Sequence, residues 1–353
     1  MVFEEKKLGG HVTTMQKGCD SEPKVGAMTA TLQSRYGMTV PIGGPLHAQR
    51  ERFQALEAAG YTDLWSAEAM GEDGLTPLAL ASVWTPSMRL GTAILPVYTR
   101  GPALMAQSIA AMASAAPGRF VAGLGTSSNV IVERWNGIPF EQPYKRMRDT
   151  VRFLRAALSG EKVTEEYDTF TINGFRLGVK LDEQVPILIA ALREGMLRLA
   201  GREGDGAIVN WLSVADTEKV TAIVREENAH AEVAARLIVA PSEDREMVLA
   251  SGKFAMAAYL NVPVYKAFHE WMGRTDQLGE HWRQWADGDR KGALEKIPDA
   301  VVDDLIISGN ADECRAHVQR YVAAGITCPV LSVMPFGDTN IDDAIRDLAP
   351  SGA

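Results

Sequence analysis

Glu68 is the first residue whose place in the chain invites chemistry. It follows the apolar stretch Tyr61–Ser66 almost at once, in the run Ala67-Glu68-Ala69-Met70. A carboxylate just past the end of a buried strand can give or take a proton, or receive a hydrogen bond from a ring N–H. The same residue also reads as a solvated loop glutamate or a partner for a helix N-terminus. A second run, Gly123-Leu124-Gly125-Thr126-Ser127-Ser128, joins glycines to free hydroxyls. Small residues let a flat ring approach the backbone, and hydroxyls can hold its edge. A tight strand-to-helix junction has the same composition. The third run, Ala190-Ala191-Leu192-Arg193, opens into a helical pattern. Backbone N–H groups at a helix start, with Arg193 beside them, suit a phosphate.

Other chemistries lack their residues. The six histidines include His269, His281 and His317, and none has a second ligand at metal spacing, so no catalytic metal is expected. No Gly-x-Ser-x-Gly elbow occurs, which argues against an α/β-hydrolase. Cys19, Cys314 and Cys328 are scattered and odd in number, the pattern of a reducing cytoplasm rather than of a disulfide framework. The net charge of −9 gives no broad basic surface, so nucleic acid is not an expected partner. No apolar run reaches membrane length, and the N-terminus lacks the apolar segment of a secretory signal.

The elements that position these runs recur regularly. Strands are predicted at Tyr36–Pro41, Tyr61–Ser66, Arg89–Pro96, Arg119–Gly125, Pro186–Ala191, Gly206–Trp211, Ala234–Ala240 and Thr327–Met334. Several are apolar throughout, as in LGTAILP and FVAGLG, which fits a parallel sheet covered on both faces. Between them lie amphipathic stretches. Pro45–Ala59 keeps Leu46, Phe53 and Leu56 in one stripe, Tyr144–Leu158 keeps Met147, Val151 and Leu154, and Asp312–Ala324 keeps Val318 and Tyr321. Gly60, Gly118, Gly160, Gly206 and Gly325 stand near the helix–strand junctions, where left-handed caps are wanted. Such alternation gives either a closed (β/α)8 TIM barrel or a doubly wound sheet. The first strand ends in Pro-Ile-Gly-Gly-Pro rather than Gly-x-Gly-x-x-Gly, so the barrel is preferred, with its site at the strand C-termini.

Three regions depart from the alternation. Residues 1–35 read as an N-terminal extension to a barrel spanning 36–350. Residues 162–178 alternate and carry the turn pair Asn173-Gly174, so an inserted hairpin is expected. Residues 243–300 hold several helices with Tyr259, Tyr265, Phe268, Trp271, Trp282 and Trp285, a helical lid or partner surface.

The run GYTDLWSAEAMGEDGLTPLALASVWTPSMRLGTAILPVYTRGPALMAQSIAAMASAAPGRFVAGLGTSS (60–128) resembles the core of the bacterial luciferase-like monooxygenase superfamily. With VERWNGIPF (132–140) and VPILIAALREGMLRLAGREGDGAIVNW (185–211), the chain is similar to the branch that uses the deazaflavin coenzyme F420. The resemblance implies a luciferase-type barrel with cofactor at the strand C-termini. It also implies a non-prolyl cis peptide at Ala93–Ile94 backing the cofactor's central ring. Thr126, Ser127 and Ser128 would line the ring and ribityl chain, and Ala190, Ala191, Leu192 and Arg193 would take the phosphate side. Glu68 would be the proton donor or acceptor.

Two departures stand out. Glu68-Ala69 stands where the similar sugar-phosphate dehydrogenases carry Asp-His, and Leu192-Arg193 replaces Gly-Gly. The implied function is an F420-dependent oxidoreductase moving hydride to or from a small organic substrate, as a cytoplasmic homodimer. The alternatives are an FMN-dependent monooxygenase of the same fold and a cofactor-binding protein without turnover. The cofactor decides between the two reactions, because a deazaflavin carries carbon where FMN carries the nitrogen that supports oxygen chemistry.

Overall fold

A computed structural model describes residues 35–337 and 339–350. The expected N-terminal extension, apart from its last residue, and Cys19 lie outside the described residues.

Every expected strand forms. In chain order they are β1 (Gly37–Val40), β2 (Asp63–Ser66), β3 (Arg89–Thr92) with its continuation β4 (Leu95–Pro96), and β5 (Phe120–Gly125). The hairpin follows as β6 (Val163–Glu166) and β7 (Thr171–Phe175). Then come β8 (Ile187–Ala190), β9 (Gly206–Asn210), β10 (Glu232–Ala240), β11 (Ile306–Ser308) and β12 (Cys328–Val333). Pairing runs β1–β2–β3–β5–β8–β9–β10–β12 and returns to β1, parallel throughout. With β4 counted into β3 and β11 lying beside β10, the ring has eight members. It is a TIM barrel, and the open doubly wound alternative falls. The apolar strands are the reason: β2, β3 and β5 are buried along their whole length, as a sheet walled on both faces requires.

The helices are α1 (Arg50–Ala58), α2 (Thr76–Trp84), α3 (Pro102–Ala115), α4 (Pro143–Leu158), α5 (Glu194–Glu203) and α6 (Val214–Glu227). After β10 come α7 (Arg245–Leu260), α8 (Pro263–Trp271), α9 (Thr275–Ala286), α10 (Arg290–Glu295) and α11 (Asp299–Leu305), and the chain closes with α12 (Ala311–Ala323) and α13 (Ile341–Asp347). The expected stripes face inward: Phe53 and Leu56 on α1, Met147, Val151 and Leu154 on α4, and Val318 and Tyr321 on α12 are buried. Among the described residues no single helix is long and apolar enough to cross a membrane.

Inside the ring, alternate residues meet in a separate cluster of Trp65, Val121, Leu188, Ile208, Ala234, Cys328 and Val330. Below Trp65 the floor is ionic. Arg89 donates to Asp63 through Nε and to Glu232 Oε2 through Nη1 at 2.8 Å, and Asp63 is fully buried. Pairing on this scale, with partners up to 143 residues apart, closes the bottom of the barrel.

Two local expectations are corrected. The hairpin turns at Tyr167–Phe170, closed by the Tyr167 N–H to Phe170 carbonyl bond at 2.9 Å. Asn173-Gly174 lies inside β7, where the register shifts opposite Val163–Glu165 and Gly174 takes φ +76°, so the pair serves a bulge. Gly206 is no helix cap: it opens β9, and a Cβ there would stand 1.9 Å from the Glu232 carbonyl oxygen.

The aromatic residues of the insertion also divide. Tyr259 and Tyr265 gather with Trp211 at the barrel mouth. Phe268 and Trp271 join the main core, whereas Trp282 and Trp285 join a second core beneath α7, α9 and α11. That second core takes in Ala240 at the end of β10 and Trp211 and Phe336 from just past β9 and β12, so the insertion stands over the β9–β10–β12 side of the mouth.

Candidate active site at the barrel mouth

The third strand buckles. Leu90 and Gly91 pair with Phe120 and Val121, but Leu95 and Pro96 pair with Leu124 and Gly125, so β3–β4 carries one residue more than β5 across the same span. The extra residue sits at Thr92–Ile94, and the Ala93–Ile94 peptide is cis, as the family resemblance implies. Neighbouring strands hold the bulge. Ala93 N–H donates to the Ser66 carbonyl at 2.6 Å, and the Ile94 carbonyl accepts from Glu68 N–H at 3.3 Å. Thr92 Oγ1 both accepts from Gly123 N–H at 2.9 Å and donates to Gly123 O at 2.8 Å.

The glycines of β5 explain why the bulge fits. A Cβ on Gly123 would lie 1.7 Å from the Thr92 carbonyl oxygen, and one on Gly125 would lie 2.4 Å from Ile94 Cγ1. Gly-Leu-Gly therefore reserves space for the backbone and side chain of the adjacent strand. Ala93, Ile94 and Ala190 are half-buried against the inner cluster, giving a small-residue arc along β3, β5 and β8.

Just beyond β5, Thr126, Ser127 and Ser128 are half-buried, and Ser127 takes φ +60°. Ser128 ties down the single π-helical turn Val130–Trp135: its Oγ accepts from Ile131 N–H at 3.4 Å and its carbonyl from Val132 N–H at 2.9 Å. The run beyond β8 serves less uniformly than expected. Ala191 is buried on the outer side, with its N–H committed to the Ile208 carbonyl at 3.0 Å, and Leu192 packs on the outer core. A phosphate there would meet the first turn of α5, with the exposed Arg193 at its N-cap.

Glu68 is a hub between loops. It receives Arg100 Nη1 on Oε1 at 2.7 Å and on Oε2 at 2.5 Å, and Gly74 N–H on Oε2 at 3.1 Å, and Thr99 Oγ1 stands 3.4 Å from Oε1. Its carboxylate thus ties the loop after β2 to the one after β4. Arg100 was not among the expected site residues; its place two residues after the Tyr98 aromatic gave no pairing signal.

Beside the bulge, polar and aromatic side chains mix with apolar ones. Thr39, Trp65, Ser66, Ala67, Ile208, Ala234, Arg236 and Val330, with Ala93 of the bulge, line a narrow recess of about 10 Å³, room for about one water. Among the described residues Thr39 Oγ1, Trp65 Nε1 and Arg236 Nε are buried with no protein partner, and so is Asn210 Oδ1 at the end of β9. Asn210 Nδ2 donates to Tyr265 Oη at 3.4 Å, and burial, with Tyr259 beside it, pushes the Tyr265 phenol up to about 12. It stays a neutral O–H donor at physiological pH. None of these polar residues stood out in the sequence, because an inward position inside an apolar strand carries no motif. Among the described residues no three His, Cys, Asp or Glu gather as a metal site.

A small-residue platform with a few buried polar groups beside it suits a ring-bearing cofactor. Known proteins share the chain's sequence pattern and its fold. Over 341 residues the chain is 27% identical to a Mycobacterium tuberculosis protein named as a coenzyme F420-dependent oxidoreductase, covering 86% of this chain and 94% of that one. It is 28% identical over 309 residues to the 5,10-methylenetetrahydromethanopterin reductase of Methanolobus tindarius, covering 82% and 90%. The solved F420-dependent tetrahydromethanopterin reductase of Methanopyrus kandleri superposes with a TM-score of 0.75 at 20% identity, over 90% of this chain and 97% of that one. The sequence model of the luciferase-like monooxygenases matches residues 24–328, and with the buckled third strand in place the chain belongs to that family.

Proposed function

We propose that the chain is an F420-dependent oxidoreductase that moves hydride between the deazaflavin and a small organic substrate. The observation that carries this reading is the bulge at Ala93–Ile94 set over Gly123 and Gly125, a shallow apolar platform for a planar ring. The names of the relatives support F420 as that ring's owner. When bound, the deazaflavin supplies a two-electron hydride carrier, and the protein supplies orientation and electrostatics.

Ile94 and Ala93 would back the ring, Thr126, Ser127 and Ser128 would hold its edge and chain, and Arg193 with the first turn of α5 would meet the phosphate. Glu68 would govern the proton, and its bond to Arg100 fixes where its oxygens stand. Tyr265, on α8, is the second group able to give a proton. The insertion over β9, β10 and β12 would exclude water from that side. Exposed Val83 and Leu104, on the touching helices α2 and α3, support pairing of two copies through the barrel wall in a cytoplasmic homodimer.

Fluorescence titration of the purified protein with F420 and with FMN tests the reading. F420 binding at micromolar concentration or tighter is expected. Tight FMN binding with none for F420 would replace it with the flavin monooxygenase alternative. Reduced F420 should be oxidised faster when enone or imine probes are added, and no acceleration by any of them would leave a carrier without turnover.

A further inference from the structure

One charge beside the bulge has no counter-ion among the described residues. Arg236 points inward from β10, level with Asn210 on β9 and Val330 on β12. Its one hydrogen bond among those residues runs from Nη2 to the neutral Ser332 Oγ at 2.9 Å, and its Nε is buried with no partner. The other inward arginine, Arg89, is satisfied by two carboxylates on the floor. Tyr265 supplies no opposite charge either, because burial pushes its phenol up to about 12 and keeps it neutral. A guanidinium does not shed its proton in a protein, so the positive charge persists. An uncompensated charge on an inward position costs stability that a well-packed apolar residue would not, so a purely structural role explains it poorly.

The charge lies next to the ring platform. Ala93 of the bulge lines the same recess as Arg236, and Trp65, Ile208, Ala234 and Val330 complete much of its wall. The recess has room for about one water, so little solvent stands between the guanidinium and the bulge to screen its field. A ring that accepts a hydride takes up two electrons with one proton and gains a unit of negative charge until a second proton follows. A fixed positive charge beside it therefore favours the hydride-loaded form over the empty one. A pair of unit charges about 10 Å apart in a protein interior is worth about a tenfold ratio.

We propose that Arg236 tunes the redox balance of the bound cofactor, its uncompensated charge beside Ala93 biasing the ring toward the reduced form. The inference rests on the reading that a hydride-carrying ring lies on the Ala93–Ile94 platform. It requires no contact between Arg236 and the ring, because the field acts across the recess.

The test compares oxidised and reduced F420 by anaerobic calorimetric titration, because the ratio of the two affinities reports how far the site shifts the couple. Arg236→Met should lower the preference for the reduced form about tenfold, equivalent to about 30 mV for a two-electron couple. Arg236→Lys should keep the ratio within about threefold of wild type because the charge remains. An arginine that serves only packing would, on removal, weaken both forms alike and leave the ratio unmoved. That result overturns the proposal, and so does a ratio lost as fully in the lysine variant as in the methionine one. Thermal unfolding identifies any variant that fails to fold, and Arg236→Gln, equally neutral, makes the same comparison if Arg236→Met does. If FMN binds and F420 does not, the F420 reading fails, and the ratio for oxidised and reduced FMN then decides on Arg236. If neither ring binds, both readings fall.

Discussion

Adding one methyl group at Gly125 should damage the barrel mouth in a way that a second deletion repairs. An ideal Cβ at this position stands 2.4 Å from Ile94 Cγ1, 2.6 Å from Cδ1 and 3.2 Å from Cβ. Ordinary carbon contacts begin near 3.5 Å, so Gly125→Ala drives two atoms of Ile94 about 1 Å into overlap. Overpacking of this kind costs about 1–3 kcal/mol. Ile94→Ala alone removes the same two atoms and leaves a gap; because Ile94 is half-buried, the loss is about 2 kcal/mol, the low end for such truncations. If the changes were independent, the double variant would lose about 4 kcal/mol. In the double variant the colliding atoms are gone and the new methyl partly fills the space, so the loss should stay near 2 kcal/mol or below. Urea unfolding of the four proteins gives the coupling directly, with coincident fluorescence and circular-dichroism transitions as the check on two-state behaviour. A coupling of at least about 1 kcal/mol is expected. Additivity within about 0.5 kcal/mol would show that Gly125 and Ile94 do not compete for one space, and the platform argument would fail.

Other outcomes follow from the same contacts. Arg89→Met leaves the fully buried Asp63 without its main counter-ion and should cost about 3 kcal/mol in urea unfolding; a loss under 1 kcal/mol would show that the floor is not held by charge. His269 is buried, and that burial, with Arg274 nearby, lowers it from 6.5 to about 4. Between those values the unfolded chain binds a proton that the folded chain refuses, so stability falls as pH drops below 6.5, by about 3 kcal/mol at pH 4. His269→Gln should flatten this slope, and an unchanged slope would assign acid sensitivity elsewhere. Glu68→Gln weakens the bond to Arg100 and should cost about 1 kcal/mol of stability while slowing turnover with F420 bound; unchanged turnover would remove Glu68 from the reaction.

The strands were legible because the signal for a doubly covered parallel strand, an uninterrupted apolar run, is local. So were the helices, whose stripes at α1, α4 and α12 need only a few turns of chain. The hairpin was legible as an element but not in its turn: Asn173-Gly174 supplies a left-handed glycine equally well to a bulge, and only the partner strand decides which. Inward polar residues were not legible at all. Asp63 meets Arg89 across 26 positions and Arg89 meets Glu232 across 143, and nothing near any of them in sequence marks the encounter. Arg236, in a largely apolar strand, carries no local mark of the inward position that its register gives it. Of the run chosen after the fifth expected strand, Ala190 lies against the inner cluster, whereas Ala191 and Leu192, beyond the end of β8, pack on the outer core.

The Arg89 plug makes the barrel a vessel with a single opening. Anything that lodges near Trp65 must enter past the rim and leave by the same route. Two guests sharing such a vessel cannot come and go independently: the deeper one has to arrive first and depart last. Order of addition is thereby written into the architecture, and initial-rate kinetics with both ligands varied should display it.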